Sequence, residues 1–100
     1  MNADTKDEQI GRIYRAKMAN RERLAFINSE LSSISVLFKK ASSQLDCLLA
    51  NERSEVNSVL SQIDINHTLE LLAEREQLIR RINSANQELK RLDSRRAISQ

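Results

Sequence analysis

Apolar side chains recur along the first half of the chain at alternating spacings of three and four residues. Counted from Ile10 as heptad position a, ten of the twelve a and d positions up to Leu48 are apolar, and the exceptions are Lys17 and Asn20. A repeat sustained over several heptads is typical of a coiled-coil helix. Because Thr5 and the glutamate three residues later match a capping box, we predict a helix over residues 5–50 after a disordered start at 1–4.

The repeat ends where its next core positions would be Glu52 and Glu55. Just before and between them, Asn51 tolerates the left-handed cap conformation and Ser54 is a good N-cap residue. We therefore predict a turn at 51–54 and a second helix over 54–97. The apolar series of that helix is Val56, Leu60, Ile63, His67, Leu71, Leu78, Ile82, Ala85, Leu89 and Leu92.

A fold at 51–54 pairs the two helices antiparallel, so that Leu45 meets Leu60 and Ile34 meets Leu71. Nearly all of the first apolar series then has a partner within the chain. The prediction also places residues 20 and 85 side by side.

A rival turn at 64–68 is rich in weak helix formers, and Asn66 or Thr68 would cap the helix that follows it. That turn leaves Leu24, Ile27 and Leu31 without a partner in the chain. A single continuous helix in a parallel oligomer is the third arrangement that the pattern allows.

Composition narrows the fold class. The chain of 100 residues has no Pro and one Gly, Gly11, and these residues mark the turns of β-rich and α/β folds. We predict one all-α domain over residues 5–97, a long antiparallel helical hairpin of coiled-coil type. It is expected to pair into a four-helix bundle or with partner helices.

The hairpin has one narrow seam and more apolar residues than that seam can cover. The predicted helix seam consists of Leu24, Ile27, Leu31, Ile34, Phe38, Leu45, Leu60, Leu71, Leu78, Ile82 and Leu89. The candidate partner face outside it consists of Phe26, Leu37, Ile65, Leu69, Leu72 and Ile79. Since a thin hairpin buries too little apolar surface to be stable alone, we expect a homo-oligomer or a helical protein partner.

Charge is distributed unevenly along the chain. Residues 12–23 and 80–96 each carry a net charge of +4, whereas residues 46–64 carry −3. Basic clusters of this kind attract nucleic acid or an anionic surface. The candidate anion-binding residues are Arg12, Arg15, Arg21, Arg80, Arg81, Lys90 and Arg91.

Few residues in the sequence are of the types that commonly perform catalysis. His67 and Cys47 are single, and neither a Gly-rich phosphate loop nor a Cys/His cluster is present. His67 is expected in the core opposite Phe38, and Cys47 beside the core. We therefore expect no enzyme, no metal and no cofactor.

The start of the chain is polar and acidic, and no apolar run reaches the roughly 20 residues that span a bilayer. With a single Cys, these features favour a cytoplasmic or nuclear protein, not a secreted one. The predicted function is a non-catalytic helical protein–protein interaction module: a small adaptor, chaperone or assembly subunit. The alternative is a basic coiled-coil dimer that binds nucleic acid or an anionic surface through clusters 12–23 and 80–96.

Overall fold

A computed structural model describes residues 5–99 of the chain. It contains three helices, α1 over Lys6–Leu49, α2 over Val56–Ser61 and α3 over Ile65–Ser99. Helices α1 and α3 pack against each other, and residues 5–99 contain no strand. The predicted all-α helical hairpin is therefore confirmed. The predicted disorder at 1–4 lies outside the described residues.

Helix α1 begins at the cap that the sequence indicates. The backbone N–H of Glu8 donates a hydrogen bond to the Thr5 hydroxyl at 3.1 Å, which satisfies one of the free N–H groups of the first turn. The helix continues through the Ser-rich and β-branched stretch 32–38, where local propensity favours a strand. The heptad pattern prevails there because it supplies an apolar face that packs.

Helix α1 ends in a Schellman motif. Asn51 adopts a left-handed conformation with φ of 61°, as the sequence predicts for this residue. The N–H of Glu52 donates to the carbonyl of Cys47 at 2.8 Å, and the N–H of Asn51 donates to that of Leu48 at 3.1 Å. These two bonds satisfy carbonyls that the helix end leaves unpaired, and they stop the helix here.

The prediction of one unbroken helix over 54–97 is wrong, because residues 62–64 separate α2 from α3. Asp64 causes the break: its carboxylate accepts a hydrogen bond from the His67 N–H at 3.0 Å. Its carbonyl accepts one from the Thr68 hydroxyl at 2.8 Å. Asp64 is thus the N-cap of α3, whereas the rival turn predicted Asn66 or Thr68 in that role. Residues 65–68 are helical, so the rival turn at 64–68 does not form, and the non-helical residues 50–55 exclude a continuous helix.

The hairpin divides into two compact segments. The terminal segment comprises the described residues up to Ala25 with those from Arg75 onward, and the turn segment comprises Phe26–Glu74. Asn20 and Ala85, which the symmetric fold places side by side, both belong to the terminal segment.

The core of the terminal segment follows a regular heptad. On α3 the inward positions recur at alternating spacings of four and three, from Leu78 through Ile82, Ala85 and Leu89 to Leu92. Opposite them, α1 contributes half-buried side chains that include the polar Lys17. The packing is that of a coiled-coil seam.

The core of the turn segment is assembled from all three helices. Ile27 and Ala41 of α1, Val59 of α2 and Leu71 of α3 are buried, and Ile27 and Val59 are almost fully enclosed. A six-residue helix has too little surface to enclose its own valine, so Val59 is buried against the other elements of this segment.

Candidate interaction surface

The seam residues separate into two groups. Four of them are buried: Ile27, Leu71, Leu78 and Leu89. Four more are half-buried: Leu24, Leu31, Ile34 and Ile82. The other three, Phe38, Leu45 and Leu60, are 44%, 46% and 50% exposed. Their assignment to the seam is wrong, and all three lie in the turn segment.

On α1 the inward face moves by one residue near the turn. Leu37 and Gln44 are half-buried where the heptad predicts Phe38 and Leu45. Gln44 is bound by two hydrogen bonds: its carbonyl accepts from the Ser54 hydroxyl at 2.6 Å, and its Oε1 accepts from the Glu55 N–H at 2.8 Å. These bonds orient Gln44 toward the connection and turn the next residue, Leu45, outward.

Ser54 is the centre of this polar cluster. Its hydroxyl donates to Gln44 and also accepts from the N–H of Val56 at 3.2 Å, at the start of α2. The N-cap residue of α2 is Glu55, so the predicted N-cap role of Ser54 is wrong, although its hydroxyl contacts the first N–H of the helix. We call the arrangement of Gln44, Ser54 and Glu55 the turn clasp.

Near the break at 62–64, two inward positions of the second half move by one residue. Val59 replaces Leu60 as the inward residue of α2, and Thr68 is half-buried where the continuous series predicts His67. His67 is exposed, so its predicted core position opposite Phe38 is wrong. Cys47 is half-buried beside the core.

The candidate partner face is only partly exposed. Phe26, Ile65, Leu69 and Leu72 are 51%, 53%, 58% and 47% exposed. Leu37 and Ile79 are half-buried, so both are partly withdrawn from a docking surface. Leu37 occupies the inward position that the prediction gave to Phe38.

Helix geometry separates Phe26 from the other exposed residues. Successive residues of an α-helix are rotated by about 100°. We call the row of buried and half-buried residues along a helix its inward line. Phe26 precedes the buried Ile27 by one residue and lies to one side of the inward line of α1. Phe38 and Leu45 each follow an inward residue by one and lie to the other side.

The exposed leucines of α3 share the offset of Phe38. Leu69 follows the half-buried Thr68, and Leu72 follows the buried Leu71. In a pair of antiparallel right-handed helices, equal rotations from the inward line lead to the same side of the pair. Exposed residues one turn away, Leu49 on α1 and Ile65 on α3, extend the two rows. We define the apolar face of the turn segment as Phe38, Leu45, Leu49, Ile65, Leu69 and Leu72.

The seven candidate anion-binding residues are all exposed and all lie in the terminal segment. Arg80 pairs with Glu76 at 2.6 Å, at the i, i+4 spacing that favours such pairs, and Arg91 pairs with Glu88. The described terminal segment contains thirteen basic and six acidic residues, a net charge of +7. The turn segment contains three basic and seven acidic residues, a net charge of −4.

Within residues 5–99 no group of three or more His, Cys, Asp or Glu side chains is arranged to hold a metal ion. No helix in this range is long and apolar enough to cross a membrane. Comparison of the chain with protein-family models, with curated proteins and with solved structures finds no match.

Proposed function

We propose that this chain is a non-catalytic helical protein–protein interaction module, a small adaptor, chaperone or assembly subunit, that binds through the apolar face of its turn segment. The observation that carries the proposal is the exposure of six large apolar side chains on one side of two packed helices. Their exposed fractions range from 44% for Phe38 to 74% for Leu49.

The exposed apolar surface is concentrated in one part of the molecule. Twelve large apolar side chains are exposed among those that the structure describes, and ten of them belong to the turn segment. Single exposed apolar residues are common on protein surfaces, but contiguous groups of them mark interaction sites. A helix that lays its own apolar stripe along this face would bury parts of both rows at once.

A site-specific photo-crosslinker tests the proposal. Leu45 and Ser43 lie one residue after and one residue before the half-buried Gln44, on opposite sides of α1, and both are exposed. With benzoylphenylalanine at Leu45, we expect irradiation of cells that express the chain to give adducts of discrete mass. The same group at Ser43 is the matched control and should give none. Equal labelling from both positions, or none from either, would refute the proposed face.

A second candidate function rests on the terminal segment. Its net charge of +7 and its seven exposed cations favour the binding of nucleic acid or another anionic surface. Retention on a heparin or DNA column that falls steeply with salt, and that weakens in Arg12→Gln/Arg15→Gln, would support this candidate. A salt-independent or absent retention would reject it.

The lone Cys47 is compatible with the reducing cytoplasm or nucleus, which we propose as the compartment.

A further inference from the structure

The turn segment is acidic and carries the apolar face, whereas the terminal segment is basic. This complementary charge points to an occupant for the apolar face. We propose that the face is covered by the terminal segment of a second copy of the same chain, in a twofold dimer. This inference rests on the proposed function and names the partner of the same surface.

The terminal segment offers a matching surface. Tyr14 and Met18 are 49% and 53% exposed. Each follows a half-buried residue by one position, so both lie on the same side of the terminal segment. Arg21 and Lys90 share this offset, because they follow the half-buried Asn20 and the buried Leu89. This surface therefore has an apolar centre with cations beside it.

Charge selects this arrangement over the alternative pairing of like segments. Turn segment against turn segment would bring together two surfaces of −4, and terminal against terminal would bring together two of +7. Turn against terminal pairs −4 with +7, and a twofold axis repeats the favourable contact. Complementary potentials of this kind fix the orientation of partners as well as their rate of encounter.

The dimer also covers what each copy leaves exposed. The apolar face meets Tyr14 and Met18 of the partner, and burial of each large apolar side chain favours association. A standard interface covers about 800 Å² on each partner. That is roughly a tenth of the 7733 Å² surface of one copy, so the two contacts need only a modest part of each segment.

The first test uses the unmutated chain and measures its molar mass in solution and the distance between two spin labels. Light scattering during gel filtration at about 50 µM is expected to give twice the mass of the chain. The single Cys47 then carries a spin label without any substitution. In the proposed dimer the turn segment that carries Cys47 lies against the partner's terminal segment. About 33 Å of helix α1 separates Ala25 from Cys47 at 1.5 Å per residue. The label-to-label distance is therefore expected to exceed about 30 Å.

Charge reversal is the second measurement. Asp46→Lys/Glu70→Lys removes the net charge of the turn segment, and Arg21→Glu/Lys90→Glu lowers that of the terminal segment to +3. Each variant alone should weaken the dimer about tenfold, and an equimolar mixture of the two should restore it. Circular dichroism of each variant verifies that the helices persist.

Two outcomes would overturn the inference and leave the proposed function standing. A monomer at about 100 µM, with a specific adduct still formed from Leu45, would show that another protein occupies the face. A dimer with Cys47 labels within about 20 Å, or one that either charge variant tightens, would show that like segments pair. Failure of the photo-crosslinking contrast between Leu45 and Ser43 would instead remove the proposed function itself.

Discussion

The terminal and turn segments are built from the same two long helices, yet they pack in different ways. In the terminal segment, α3 keeps a regular alternation of inward residues from Leu78 to Leu92, and the surface is dominated by cations. In the turn segment a third helix intervenes, the inward face of α1 shifts by one residue, and large apolar side chains face outward. Among the described residues, two large apolar side chains, Tyr14 and Met18, are exposed where the heptad is unbroken, whereas ten are exposed in the turn segment. The exposed face is a by-product of the connection between the helices.

The largest expected effects compare the cores of the two segments. Ile27→Ala in the turn segment and Leu78→Ala in the terminal segment should each lower the free energy of unfolding by about 2–5 kcal/mol, because both side chains are buried. Phe38→Ala should cost less than about 1 kcal/mol, since this ring is exposed. Urea unfolding at about 2 µM, followed by circular dichroism, measures all three. A Phe38→Ala loss as large as that of Ile27→Ala would return Phe38 to the seam.

The turn clasp should contribute the next largest effect. Ser54→Ala removes a hydroxyl that bonds both the Gln44 carbonyl and the Val56 N–H, in a partly buried place. We expect a loss of about 1–3 kcal/mol in the free energy of unfolding, the usual range for leaving such groups unpaired. Ser43→Ala on the exposed side of α1 is the control and should change stability by less than about 0.5 kcal/mol. Equal effects of the two substitutions would contradict the clasp.

The break between α2 and α3 should depend on Asp64. Asp64→Ala removes the carboxylate that caps the His67 N–H, and we expect destabilisation of about 1 kcal/mol. Asn66→Ala, two residues later, should be close to neutral or slightly favourable because Ala is the better helix former. Thermal melts of the two variants compare them directly. The opposite ranking would mean that Asn66, the cap residue suggested by the rival turn, starts the helix.

The smallest effect belongs to the terminal segment. Gly11 lies inside α1, and a Cβ added there would meet only the end of the flexible Arg15 side chain, at 3.3 Å. Gly11→Ala should therefore stabilise the chain by about 0.5–1 kcal/mol. Ala16→Gly, at an exposed position five residues later, should destabilise it by a similar amount. A loss of stability in Gly11→Ala would show that the Arg15 side chain cannot move aside.

Sequence periodicity predicts the packing well where the helix is uninterrupted. The heptad correctly indicates that Ile27, Leu71, Leu78 and Leu89 are buried, because a regular helix returns the same face to its partner every seven residues. It fails at Phe38, Leu45, Leu60 and His67, all of which lie in the turn segment. Asp64 ends the assumed continuity of the second helix. Val59 and Thr68 take the inward positions predicted for Leu60 and His67, while Val56 and Ile63 stay half-buried as predicted.

The sequence contains the cap residues of the connection, but it does not show which of them end or begin a helix. Asn51 is readable as a C-terminal cap residue and takes that role, whereas Ser54, readable as an N-cap, lies one residue before the actual N-cap Glu55. Asp64 is an equally good N-cap residue, but two turns so close together compete as explanations when only the sequence is considered. The Gln44 contacts depend on a side chain that reaches across the connection, which no periodic pattern encodes. The apolar face of the turn segment depends on the Asp64 cap and on the Gln44 contacts, so periodicity alone does not predict it.

The turn clasp joins residues that are much closer in the sequence than those joined in the terminal segment. Gln44 bonds residues only ten and eleven positions further along the chain, whereas the terminal segment joins residues up to Ala25 with residues from Arg75 onward, at least fifty positions apart. The entropy lost on closing a loop grows with its length, so local contacts form first. We therefore expect folding to start at the clasp and to proceed toward the two ends of the chain. During synthesis the first helix must wait, with its seam uncovered, until the residues after Arg75 have emerged to cover it.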